Sequence, residues 1–158
     1  MPAKPETTYY QSIHRLLSRE IHREKMCNPF LAGTPDVWYS APATDMWVEY
    51  KWIPKIPRSN AIAVGLTPRQ TFWLDARLSE GRNVAVILGS PDGAVIYTGG
   101  AWHASLNTQQ VASILRTRHE VAAFITEVTC AGNISLLMPP TWLGQPTALS
   151  PTLFSLVA

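Results

Sequence analysis

Residues 33–52, GTPDVWYSAPATDMWVEYKW, carry two runs rich in aromatic and β-branched residues, DVWYS and MWVEYKW, joined through a longer loop, the Ser-Ala-Pro-Ala-Thr-Asp segment. That composition predicts two strands, and the connection makes them an antiparallel pair. Within the pair stand three charges, Asp36, Glu49 and Lys51. Alternation puts Glu49 and Lys51 on one face of their strand, with Val48 and Tyr50 on the other. Asp36 follows the rigid Pro35 at the start of the first strand, so the hairpin can bring it beside Glu49. Such densely aromatic surroundings suit a central strand, where unused charges are costly.

Two carboxylates side by side raise each other's pKa unless a cation lies between them. A hard divalent ion with oxygen ligands, Mg²⁺ or in its place Mn²⁺, is the usual resolution. Lys51 is a poor metal ligand but a good partner for a phosphate oxygen or an attacking water. Carboxylates, a metal and an ammonium on one face suit phosphodiester hydrolysis. The plainer reading is a turn-ending Asp36 and a solvated Glu49–Lys51 stripe.

Outward from the hairpin, the rest of the chain supplies a layered frame. KPETTYYQSIHRLLS (residues 4–18) repeats Tyr9, Tyr10, Ile13, Leu16 and Leu17 at helical spacing. EIHREKM (20–26) is read as a strand, with continuation of the helix as the alternative. LTPRQTFWLDARLSEG (66–81) is the clearest helix, with Thr67 as N-cap, Pro68 at the first position and Gly81 at the stop. NVAVILG reads as a strand buried on both faces, and AVIYTG as its hairpin partner. Residues 107–128 read as one or two helices capped by Asn107 or Thr108. The segment 132–158, with four prolines and no period, is expected to be an irregular tail. The order predicts one domain over 1–158, with its core at about 5–128. Its class is α/β (α+β), a mixed sheet flanked by helices.

Composition narrows the partners. The 158 residues are 46% hydrophobic and 15% charged, which excludes extended disorder. No apolar run reaches the roughly 18 residues of a membrane span. The N-terminus lacks a signal-peptide core, so a cytoplasmic location is expected, the host's cytoplasm if the chain is phage-encoded. Cys27 and Cys130 are too few for a disulfide framework and are expected reduced and buried. Net charge is +2, yet eleven of thirteen Lys and Arg lie in residues 1–82 against eight of eleven acids. With Asp36 and Glu49 sequestered around a cation, that half suits a polyanion.

These residues resemble the PD-(D/E)XK nuclease superfamily, with PD at 35–36 and EYK at 49–51. The match is closer to its VRR-NUC-like branch and to small phage-type endonucleases, through GTPD, VEYK, TPRQTFWL and EGRNVAVILG. The resemblance covers roughly residues 5–103. It implies a restriction-endonuclease-like core and a Mg²⁺-dependent DNA endonuclease acting on branched or structured DNA, in recombination or phage genome processing. It also implies metal ligation by Asp36, Glu49 and the Tyr50 carbonyl, with Lys51 as the catalytic lysine. Gln70 falls where several branches place a site glutamine, and Thr67-x-x-Gln70 is equally a capping box. The family's helix acid is assigned to Glu6, with Glu20 and Glu24 as rivals if the helix runs through residue 25. Arg58 and Arg69, and with them Lys25 and His14, are candidates for DNA phosphate. Trp38, Trp47 and Trp52 fit a strand core, and Trp102 is the tryptophan expected on the surface. Cutting both strands of a junction calls for two sites and hence a homodimer. The alternatives are a nucleic-acid-binding protein that keeps the fold without the chemistry, and an assembly protein working through its tail.

Overall fold

The computed structural model describes residues 4–27, 32–58 and 61–132. The expected irregular tail therefore lies outside the described residues, apart from Gly132. The elements are α1 (Pro5–His14), β1 (His22–Lys25), β2 (Val37–Ser40), β3 (Asp45–Trp52), α2 (Pro68–Ser79), β4 (Val84–Ser90), β5 (Gly93–Tyr97), α3 (Thr108–Ile114) and α4 (Arg118–Ala131). A single 3₁₀ turn, Ala101–His103, precedes α3. No helix among the described residues is long and apolar enough to cross a membrane.

The strands form one sheet in the order β1-β2-β3-β4-β5. β3 and β4 run parallel and the other neighbours antiparallel, so the sheet is mixed as expected. Parallel pairing requires a crossover, which α2 provides. Helices then cover both faces. β4 is buried at all of its positions, the pattern of a strand with helices above and below.

Alternation along β3 sorts the two cores. Met46, Val48 and Tyr50 face Tyr9, Tyr10 and Ile13 of α1 and Phe124, Ile125 and Val128 of α4. On the other face Trp47 packs with Leu74 of α2, Val84 and Val86 of β4, and Trp102 and Val111 beyond. Glu49 and Lys51 share the face of Trp47, so they look toward α2 and away from α1. Gly33, at φ +105°, brings the GTPD segment against the start of α2. A Cβ there would lie 2.6 Å from the Arg69 carbonyl oxygen. Glycine is required both by the backbone angle and by that close approach.

Several expectations are corrected. α1 stops at His14, three residues before Leu17, and Leu16 leaves the helical track to stand 39% exposed. Trp102 is buried (4% exposed) because its indole N–H donates to Asp75 of α2 at 2.9 Å. Trp47 and Trp52 do pack against the two cores, although they, like Trp38, are only half-buried. Cys27 is exposed and Cys130 half-buried, both as free thiols. The stretch read as one or two helices is two, as one of those readings has it, because it holds two capping boxes, Asn107 with Gln110 and Thr117 with Glu120. The Thr117 signature is plain in RTRHE and marks the second start.

Candidate active site

The β2–β3 register pairs Val37 with Val48, and one step further along the hairpin Asp36 stands opposite Glu49. The contact is completed through the backbone. The Tyr50 N–H donates to Asp36 Oδ2 at 3.0 Å, tying the carboxylate to the residue between Glu49 and Lys51. The other oxygen, Oδ1, holds the Lys25 ammonium at 2.7 Å. That pairing follows from the β1–β2 register, which sets Lys25 opposite Val37, next to Asp36.

Glu49 is 3% exposed, buried beneath the start of α2. Lys51 Nζ lies 3.0 Å from its Oε1. Burial is the main cause that pushes the Glu49 carboxyl from its ordinary 4.5 up to about 7. The Asp36 charge raises it further, while Lys51 and, more weakly, Lys25 pull it back. A carboxylate so placed is one that a nearby cation would stabilise in its ionised form.

Gln70 joins both readings that the sequence leaves side by side. Its Oε1 accepts from the Thr67 N–H at 3.0 Å and from Lys51 Nζ at 3.1 Å, while Nε2 donates to Glu49 Oε1. The capping box is complete. Because the cap needs an oxygen facing the Thr67 N–H, the amide nitrogen is turned to Glu49. One side chain therefore starts the helix and locks Glu49 to Lys51.

The remaining candidates are placed as follows. Tyr50 turns its side chain to the α1 face, where its hydroxyl meets that of Tyr39 at 2.8 Å, so only its main chain faces the acids. His14 Nε2 meets the same Tyr39 hydroxyl at 2.8 Å, and burial lowers its pKa to about 4. It is thus a neutral internal group at pH 7, which makes it a poor partner for phosphate. Arg58 and Arg69 are exposed, the latter in the first turn of α2 beside Gln70. Glu6 stands in the first turn of α1, on the helix that covers the opposite face of the sheet, with no hydrogen-bond or ion-pair partner among the described residues. Glu20 precedes β1 and Glu24 lies on it, so neither is helical. No group of three or more His, Cys, Asp or Glu among the described residues is gathered to hold a metal ion.

Asp36 and Glu49 nevertheless fit a hard divalent cation. Both offer oxygen, each already holds an ammonium, and Mg²⁺ characteristically takes one or two carboxylates and keeps water or substrate phosphate for the rest. Lys25 as the partner of Asp36 is the contact that the sequence reading misses. The signal was the alternation of HREK opposite VWYS, which identifies the neighbour of Asp36 once the two strands are paired.

No family model matches the chain, and no curated protein matches it. Among solved structures it is similar to Hjc, a Holliday junction resolvase from the archaeal hyperthermophile Archaeoglobus fulgidus. The identity is 14%, over 74% of this chain and 99% of that one, with a TM-score of 0.49.

The double duty of Gln70 can be separated by one substitution. Gln70→Glu keeps a capping box, since glutamate serves that position as well as glutamine. It removes the donor to Glu49 and sets a third carboxyl against it. The expected result is a helix and melting temperature close to wild type. If the site cleaves phosphodiester bonds, its rate should fall on the order of tenfold to a hundredfold, the scale of a misplaced reacting group. Circular dichroism and initial rates on the same preparation check it, and a rate within twofold of wild type would leave Gln70 with the cap alone.

Proposed function

We propose that this chain is a metal-dependent DNA endonuclease of the PD-(D/E)XK type, hydrolysing phosphodiester bonds in branched or otherwise structured DNA. The observation that supports it most is the buried Glu49 held between Lys51 and Gln70, with Asp36 fixed opposite by the Tyr50 amide. A purely structural strand has no use for a carboxylate at 3% exposure whose pKa is lifted to about 7.

Asp36 and Glu49 would hold Mg²⁺ or Mn²⁺, with the Tyr50 carbonyl as the third protein ligand. When bound, the cation supplies Lewis acidity to the phosphoryl group and to the attacking water. Lys51, 18% exposed at its side chain, sits at the open edge of the acid pair. Its ammonium stabilises negative charge developing on the phosphoryl oxygens. Gln70 keeps Lys51 and Glu49 in register. Arg69 and Arg58, exposed on the same side as α2 and on the connection leading to it, contact the DNA backbone. Glu6, in the first turn of α1, is the acid that the first helix would add to this site. Two cuts across a junction call for a two-fold homodimer.

The test is cleavage of a synthetic four-way junction, a linear duplex of the same sequence and its RNA counterpart, each with Mg²⁺, Mn²⁺ or EDTA. Metal-dependent cutting, fastest on the junction, is the expected outcome. Failure to cut any of the three with either metal, by protein of native circular dichroism, would overturn the proposal.

A further inference from the structure

Each of the two acids carries its own lysine. Lys51 serves Glu49 from two residues along the same strand, but Lys25 comes to Asp36 from the edge strand, and its side chain stands 44% exposed. The ammonium is 2.7 Å from Asp36 Oδ1 and also lies over the Tyr10 ring, 5.0 Å from its centroid. Lys25 is therefore held by two groups of different kinds. The carboxylate binds it by charge, and the aromatic face would keep hold of it if the carboxylate were taken by another cation.

A divalent ion on Asp36 and an ammonium on one of its oxygens repel each other at close range. Asp36 Oδ2 is already engaged by the Tyr50 amide, so Oδ1 is the oxygen with more freedom to turn to a metal. The side chain of Lys25 is long and solvent-facing, and it can swing away without disturbing the core.

Resting on the metal-dependent reading above, we infer that Lys25 is a counter-ion built into the site. It competes with the divalent cation for Asp36 and, once displaced, offers its ammonium to a phosphate of the bound DNA. Cation and DNA thereby favour each other's binding through one lysine, because each relieves what the other leaves unpaired. Lys25 acts as a positioning residue for Asp36 before the cation arrives and as a phosphate contact afterwards.

The experiment is a calorimetric titration of Mn²⁺ alone into wild type, Lys25→Met and Arg23→Met. Arg23 is an exposed cation on the same strand, and it controls for loss of charge without loss of the Asp36 contact. Lys25→Met should bind Mn²⁺ about two- to fivefold tighter than wild type, the range that an exposed ion pair is worth. Arg23→Met should gain clearly less. In a second measurement, junction binding is followed by fluorescence anisotropy with and without Mn²⁺, in a Lys51→Met background and within times short against its slowed cutting. The gain in DNA affinity on adding Mn²⁺ should shrink when Lys25→Met is introduced. Equal or weaker Mn²⁺ binding by Lys25→Met, or an equal gain in Arg23→Met, overturns the inference while leaving the nuclease reading intact. No Mn²⁺ binding by wild type or either variant would overturn the metal reading itself, and this inference with it.

Discussion

Glu49→Gln should slow the proposed metal-dependent cleavage by at least about a hundredfold and at the same time flatten the dependence of stability on pH. The two effects share one cause. Glutamine has the shape of glutamate and still accepts from Gln70 Nε2 and Lys51 Nζ, so the fold is kept. It cannot give a divalent cation a full negative charge. Loss of a group that merely supports a metal ligand costs about 10–100-fold, so loss of the ligand itself should cost at least about a hundredfold in rate. The stability effect follows from the raised pKa of the buried carboxyl, about 7 against an ordinary 4.5. A carboxyl that holds its proton more tightly when folded favours the fold below pH 4.5, and that contribution is lost as pH rises to about 7. The metal-free wild type should therefore lose on the order of 3 kcal/mol between pH 4.5 and 7 from this group. Glu49→Gln should lack that decline. Urea denaturation in EDTA at pH 5 and pH 8 reads it directly, and Mn²⁺ should restore wild-type stability at pH 8 by stabilising the ionised form. A wild type and variant with parallel pH profiles would remove Glu49 from its proposed role.

Much of this site is legible in the sequence because its signals are local. The alternation of MWVEYKW fixes which residues share a face with Glu49, and the loop between the two runs limits the hairpin register that sets Asp36 opposite. Thr67, Pro68 and Gln70 announce α2 within four residues. What sequence cannot weigh is a side chain that serves two partners at once. Gln70 as cap and Gln70 as site residue look like alternatives until geometry shows an amide using its oxygen for one and its nitrogen for the other.

Contacts decided by distant segments are the ones misread. Trp102 is followed by a histidine in a glycine-flanked turn and has the look of a surface residue, yet Asp75, on another element, supplies the acceptor that allows its burial. Leu16 belongs to the apolar stripe only if α1 is longer than it is. Lys25 and His14 have the same outward profile in sequence, a cation near the first helix. Packing separates them: one reaches Asp36 across a strand pairing, while the other turns inward to Tyr39 and stays uncharged.

Lys51→Met should lower the cleavage rate by about a hundredfold to a thousandfold, the cost of removing one preorganised stabiliser of transition-state charge. Two explanations of such a loss must be told apart. Lys51 lies 3.0 Å from Glu49 and is one of the groups that hold the Glu49 pKa down. Its removal therefore lifts that pKa further and delays ionisation of Glu49 to higher pH. If this were its whole contribution, raising the pH by one or two units would restore the rate. If its ammonium stabilises the phosphoryl oxygens directly, the pH profile moves upward and the maximal rate stays depressed. The geometry favours the second outcome, because Gln70 Oε1 at 3.1 Å holds Lys51 from the side of α2 and leaves part of the ammonium open at the rim of the acid pair. Rates measured from pH 6 to 9 at saturating Mg²⁺, with Mn²⁺ affinity taken as a check that the acids still bind, decide between them. A full recovery at high pH would make Lys51 a tuner of Glu49 and move the charge-stabilising role to another cation at the site, with Lys25 the next in line.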